Sequence, residues 1–283
     1  MREAGPRSRA KPDLVARLAV TVVGTTALAL VASVPYGLLV ALGGALFTAG
    51  VEYRSITVPS GGVGGRIASG LGTWAAGAGT LLAARHPMAL AGLGAMALAG
   101  ILVLVSERRP FEQRPVGRAG FAGPLRAVVG PLYFGALPSF LLLLPEGGGS
   151  RQAWLWFVLA IAWGGDIGGY LVGRRWGRRP LAPSISPAKS VEGALGSLAL
   201  GSVLGLAVWK AASLGPSLAT ALWLAPASQV LAQAGDLLES RLKRRCGVKD
   251  SGRILGAGGG MLDCLDGLCL AAPFVVLASG TPA

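Results

Sequence analysis

Residues 18–51 read LAVTVVGTTALALVASVPYGLLVALGGALFTAGV, thirty-four positions without a single Asp, Glu, Lys, Arg or His. A run of roughly 18 apolar residues is long enough to cross a bilayer as a helix. This one is about twice that length, and Val34-Pro35-Tyr36-Gly37 in its middle carries the turn chemistry that folds it into two spans. The whole chain follows suit. Of its 283 residues 52% are hydrophobic and only 14% charged, with a mean hydropathy of +0.59. An ordinary soluble domain carries about 25% charge. The composition therefore excludes a water-soluble globular protein and predicts an all-α, polytopic membrane protein.

Charges and turn residues divide the chain into about nine transmembrane helices, at 18–33, 36–51, 67–84, 87–106, 127–145, 152–173, 194–213, 217–238 and 262–280. A basic segment, 1–17, precedes them. Its bases ahead of an apolar run resemble a signal peptide, but no small-residue cleavage site follows, so a retained first span is expected. The spans fall into an N-terminal region, 18–145, and a C-terminal region, 146–283, which has two long loops at 174–193 and 239–261.

The bases fix an expected orientation. With the N-terminus inside, 23 of the 26 Lys and Arg residues lie on the inner side and only Arg85, Arg151 and Lys210 on the outer. Such asymmetry is what the positive-inside rule demands, and losing one span would invert every later loop and spoil it. A cytoplasmic N-terminus follows. The same rule accounts for the net charge of +13 without nucleic acid, and no nucleic-acid partner is expected. The cysteines, Cys246, Cys264 and Cys269, form neither a disulfide framework nor a CxxC metal pattern.

Five of the thirteen acids, Glu52, Asp166, Asp236, Asp263 and Asp266, lie within or at the edge of an expected span. A carboxylate at membrane depth costs at least ~2.5 kcal/mol and is kept only with a partner or a function. Asp263 and Asp266, three apart, share one helix face. Two like charges side by side repel unless a proton or cation intervenes, and a hard divalent ion such as Mg²⁺ suits oxygen ligands and takes phosphate oxygens as well. Pairing with arginines at the membrane interface is the simpler alternative. Against it, Lys243, Arg244, Arg245, Lys249 and Arg253 crowd the stretch just before the Asp pair. Carboxylates for a metal beside bases for phosphates suit phosphoryl or nucleotidyl transfer. Between them, Gly256-Ala257-Gly258-Gly259-Gly260 offers backbone N–H groups to an anion, or simply close helix packing.

Ordered blocks across 163–270 resemble the phosphatidate cytidylyltransferase (CDP-diacylglycerol synthase) family. They are Asp166, Gly169-Tyr170 and Gly173; Ser186-Pro187, Lys189-Ser190 and Glu192-Gly193; Gly235-Asp236-Leu237 with Glu239; and Ser240, Lys243-Arg244, Lys249-Asp250, Ser251-Gly252, Gly259-Gly260 and Asp263…Asp266. Glu52-Tyr53 is a fainter echo. Three positions depart from the family pattern: Gly258 stands where its His would be, Cys264 where its Arg would be, and Gly256 replaces a Pro.

The resemblance implies an all-helical membrane fold, described as a homodimer with a polar cavity open to the cytoplasm of a bacterial inner membrane. It further implies the reaction CTP + phosphatidate → CDP-diacylglycerol + diphosphate among membrane lipids. On its pattern Asp236, Asp263 and Asp266 would hold Mg²⁺, with a second cation such as K⁺ beside it. Lys189, Lys243, Arg244 and Lys249 would bind phosphates, Ser186 and Asp250 would orient the nucleotide, and Ser240, Gly259 and Gly260 would line the substrate site. A CTP-dependent kinase of a polyprenol- or phytol-type alcohol, an inactive paralogue and an ion-coupled transporter are the rival readings.

Overall fold

The computed structural model describes residues 36–59, 62–84, 86, 92, 95–97, 99–101, 122–144, 151–215, 217–255 and 259–279. The expected span 18–33, most of 87–106 and positions 256–258 of the glycine turn lie outside the described residues.

The described residues are helical almost throughout. They form α1 (Gly37–Thr57), α2 (Val63–Ala83), α3 (Ala122–Pro131), α4 (Arg151–Trp176), α5 (Val191–Ala211), α6 (Leu218–Arg245) and α7 (Met261–Ala278). The turn expected near 34–37 is present in part as Tyr36, whose φ of 61° places it in the left-handed region at the start of α1. Past Pro131, α3 continues through a widened turn (Leu132–Ala136), a short helical piece (Leu137–Ser139) and a tight turn (Phe140–Leu143). Pro138 has no N–H to return to the carbonyl four residues back, which is a physical cause of such irregularity.

Several boundaries differ from expectation, the ends of α1, which continues to Thr57, and of α6 among them. α6 runs seven residues past its apolar stretch, to Arg245, because Leu, Glu, Arg and Lys are all good helix formers. It stops at Gly247, whose φ of +71° breaks the helix at little cost. The expected loop 239–261 thus begins with seven helical residues, 239–245. The other long loop carries the only strands among the described residues, an antiparallel hairpin of β1 (Pro180–Ala182) and β2 (Ser186–Ser190). The all-α expectation is amended by that hairpin alone.

Among the described residues α4, α5 and α7 are long and apolar enough to cross a membrane. α6 is diluted by Gln229 and Gln233, then by the charges at its end. The most extensive packing is between α4 and α5. A Cβ at Gly168 would run into the Gly196 carbonyl, and one at Gly196 into Val172, so the two backbones lie closer than any larger residue permits. Such small-residue crossings bind helices in lipid, where apolar burial gives no drive. Gln229 adds a buried hydrogen bond, its Nε2 donating to Ser197 Oγ at 2.7 Å across α5 and α6. Trp154, Phe157 and Trp209 stack edge to face at 5.3–5.8 Å between α4 and the other end of α5. α7 touches α1, α4, α6 and the irregular 132–143 segment, so its first turn is met from several sides.

Candidate active site

The C-terminal ends of α1, α4 and α6 and the N-terminal ends of α5 and α7 meet on one side of the bundle. The buried charges among the described residues, Glu52, Glu239 and Lys243, are gathered there.

Asp263 lies in the first turn of α7, and its two oxygens have different partners. Oδ2 accepts from the Gly260 N–H at 2.7 Å, from the Ser251 N–H at 3.2 Å and from Ser251 Oγ at 2.9 Å. Oδ1 accepts from Lys243 Nζ. Backbone donors therefore fix the carboxylate's orientation and leave one oxygen for a positive charge. Gly259, with φ +88° and no room for a Cβ beside Asp263, occupies a conformation that a side chain would strain. The two glycines expected in the substrate site, Gly259 and Gly260, are thus found shaping the Asp263 carboxylate.

Lys243 serves two carboxylates. Besides Asp263 it reaches Glu239, one turn back on α6, at 2.6 Å. The side chain of Lys243 is 10% exposed and that of Glu239 0%. Lys243 was expected on substrate phosphate; here its ammonium is committed to Glu239 and Asp263. Glu239 was quoted in the sequence pattern but not singled out, although its i,i+4 spacing to Lys243 was the available signal.

Asp236, one turn before Ser240 on α6, receives Lys189 from β2 at Oδ2 and the Ser240 hydroxyl at Oδ1, 3.4 Å away. The hairpin positions Lys189. Ser190, its last residue, caps α5 by accepting the Gly193 N–H at 3.0 Å, and Glu192 accepts the N–H groups of Arg178 and Arg179 at 3.0 and 3.2 Å. Asp266, on α7, is acted on by the charges of Asp236, Glu239 and Asp166. α6 and α7 cross tightly here: a Cβ at Gly235 would overlap the Asp266 carbonyl oxygen. Gly235→Ala is therefore expected to push the helices apart, costing about 1–3 kcal/mol as overpacking does and separating Asp236 from Asp266. Thermal unfolding in detergent together with turnover checks it; wild-type values for both would mean that the crossing is not tight.

The remaining expected residues lie at the margin. The Arg244 guanidinium donates to the Ile185 carbonyl at 3.0 Å and the Val248 carbonyl at 3.1 Å, tying the hairpin to the loop after α6. Lys249 and Asp250 are exposed on that loop, and Ser186 opens β2 half-buried. Cys264 sits beside Asp263, also half-buried. Two residues quoted in the sequence pattern but given no role there also belong to the site. Ser251 bridges Asp263 to Glu52, and Glu52 arrives from α1, 199 positions earlier.

Asp166, Asp236, Glu239, Asp263 and Asp266 thus share this end of the bundle with Lys189 and Lys243, an excess of carboxylate. An all-oxygen donor set with surplus negative charge suits a hard divalent cation. Among the described residues no three His, Cys, Asp or Glu are grouped closely enough to hold an ion unaided.

A profile of the cytidylyltransferase family matches residues 15–280. A phosphatidate cytidylyltransferase of Mycobacterium bovis is 35% identical over 207 residues, which cover 64% of this chain and 60% of that protein. Enzymes of the same name from Bacillus subtilis and Brucella suis are 38% identical over 122 residues and 41% identical over 125, each match covering 43% of this chain. The chain spans 60%, 45% and 44% of the length of these three relatives.

Proposed function

The chain belongs to the cytidylyltransferase family, and from that premise we propose that it transfers the cytidylyl group of CTP to phosphatidate, giving CDP-diacylglycerol and diphosphate. The observation that carries the reading is the cluster itself: carboxylates and lysines gathered at the ends of helices apolar enough to cross a membrane. A phosphate on a lipid headgroup reaches such a place, and a soluble acceptor has no need of it.

An oxygen of the lipid phosphate attacks the α-phosphorus of CTP. The bond from that phosphorus to the bridging oxygen breaks, and diphosphate leaves with the electron pair. The attacking oxygen is already anionic at neutral pH, so no protein nucleophile and no general base are needed. What the reaction needs is neutralisation and alignment of crowded phosphates. One or two of Asp236, Asp263 and Asp266 would hold Mg²⁺, which would supply that neutralisation as a Lewis acid, Asp263 Oδ1 doing so only in exchange for Lys243; a second cation such as K⁺ belongs to the same proposal. Lys189 reaches the cluster from the hairpin, and exposed Lys249 and Arg244 border it, as bases for the nucleotide's phosphates.

About nine spans, a cytoplasmic N-terminus and a site facing the cytoplasm of a bacterial inner membrane complete the proposal, together with assembly as a homodimer. The asymmetry of the bases supports the orientation. The test is a product assay on purified protein in detergent micelles with phosphatidate, Mg²⁺ and CTP labelled in the cytosine. Label is expected in CDP-diacylglycerol and is expected to disappear with a chelator. Release of labelled CDP on offering a lipid alcohol would establish the kinase reading instead. No lipid label from folded protein would overturn the proposal and turn attention to Gly258 and Cys264.

A further inference from the structure

Glu52 lies near the end of α1, is only 6% exposed, and has no role in the reaction just described. Its Oε2 accepts two hydrogen bonds, from Ser251 Oγ at 3.0 Å and from the Leu262 N–H at 3.0 Å. Both donors are neighbours of Asp263. Ser251 is the residue whose hydroxyl and N–H also bind Asp263 Oδ2, and Leu262 precedes Asp263 in the first turn of α7. A carboxylate at that end of a helix also meets the positive end of its dipole. The backbone closes around the group: a Cβ at Gly252 would overlap Glu52 Oε1, and one at Gly260 would overlap Oε2 and Ser251 Oγ. One side chain from the N-terminal half therefore fastens both segments that orient Asp263.

We infer that Glu52 is a positioning residue for the site. By binding Ser251 and the first turn of α7 at once, it holds Asp263 with Oδ1 toward Lys243 and the cation position. The inference rests on the cytidylyl-transfer reading, because it assigns Glu52 to that same site. A buried carboxylate with neutral donors is costly to maintain, and packing alone would be met more cheaply by an apolar residue of the same size. The hydrogen-bonding acceptor is what the site uses.

The experiment compares Glu52→Ala with Glu52→Gln in the full chain in micelles. Gln keeps an acceptor oxygen at the same reach, so Glu52→Gln is expected to stay within about fivefold of wild-type kcat. Glu52→Ala is expected to lose kcat by about 10–100-fold, the range for partners that orient metal-ligating side chains, with the KM for CTP moving less than about threefold. Hydrogen exchange is the second readout: amides of 251–263 should exchange faster in Glu52→Ala while those of α4 and α5 do not change. Wild-type kcat in Glu52→Ala, or exchange at 251–263 equal to wild type, overturns the inference. A loss expressed mainly in KM overturns it too. If Glu52→Ala fails to fold, Ser251→Ala removes the shared hydroxyl instead. A kcat loss of about tenfold or more there supports the clamp, and wild-type kcat refutes it. If wild-type protein transfers no cytidylyl group, the preceding proposal fails, and the exchange measurement alone decides whether Glu52 fastens these segments.

Discussion

Asp263→Asn is expected to lower cytidylyl transfer by on the order of 10²–10³-fold, the cost of removing one preorganised charge contact from a transfer site, while the chain stays folded and inserted. The geometry explains why so small a change acts so strongly. Asn keeps the size and one carbonyl oxygen, so one set of contacts, to Ser251 and the Gly260 N–H, survives. The other atom becomes an amide nitrogen, a donor facing the Lys243 ammonium, also a donor. The negative charge that would help hold Mg²⁺ is lost at the same point. Turnover at saturating CTP, measured across a Mg²⁺ titration, reads both effects. Wild-type turnover in a folded Asp263→Asn would remove Asp263 from the chemistry. Recovery at high Mg²⁺ would show that its role is confined to cation affinity.

Much of this arrangement is legible in the sequence, and what is not has identifiable causes. Apolar runs between charges placed α4, α5 and α7 to within a few residues, because span length is set by hydrocarbon thickness. The three-residue spacing of Asp263 and Asp266 placed both on α7. The end of α6 was missed because span reading stops where charge begins, whereas a helix stops only where its backbone is broken, here at Gly247. Lys243 and Arg244 were consequently read as loop bases free for phosphate. On the helix each also has partners within the chain, Lys243 two carboxylates and Arg244 two carbonyls, which the sequence reading did not include. Glu52 was unreadable as a site residue for a different reason. Its partners Ser251 and Leu262 are 199 and 210 positions away, and no local periodicity reports a contact at that separation.

Lys243→Met is the variant that separates holding the fold from holding the substrate. Lys243 is the described cation on Glu239, whose side chain is fully buried, and it also faces Asp263, whose side chain is 12% exposed. Met fills similar volume without charge, so two carboxylates would be left in low dielectric with no neutralising partner. Breaking a buried pair from one side costs about 3–5 kcal/mol, because a desolvated charge remains. Lys243→Met is therefore expected to lower thermal stability in detergent by that order and to lose transfer activity with it. Adding Glu239→Gln removes the charge that suffers most, and the double variant is expected to regain at least half of the lost stability. Activity should not return in parallel, because Asp263 would still lack its ammonium. Unfolding curves for the two single variants and the double variant give the coupling between the residues. If Lys243→Met instead unfolds like wild type and shows only a raised KM for CTP, the ammonium belongs to the nucleotide phosphates and its contacts to Glu239 and Asp263 are secondary. If the double variant is no more stable than Lys243→Met, the penalty lies with Asp263, and the first turn of α7 is the element that Lys243 secures.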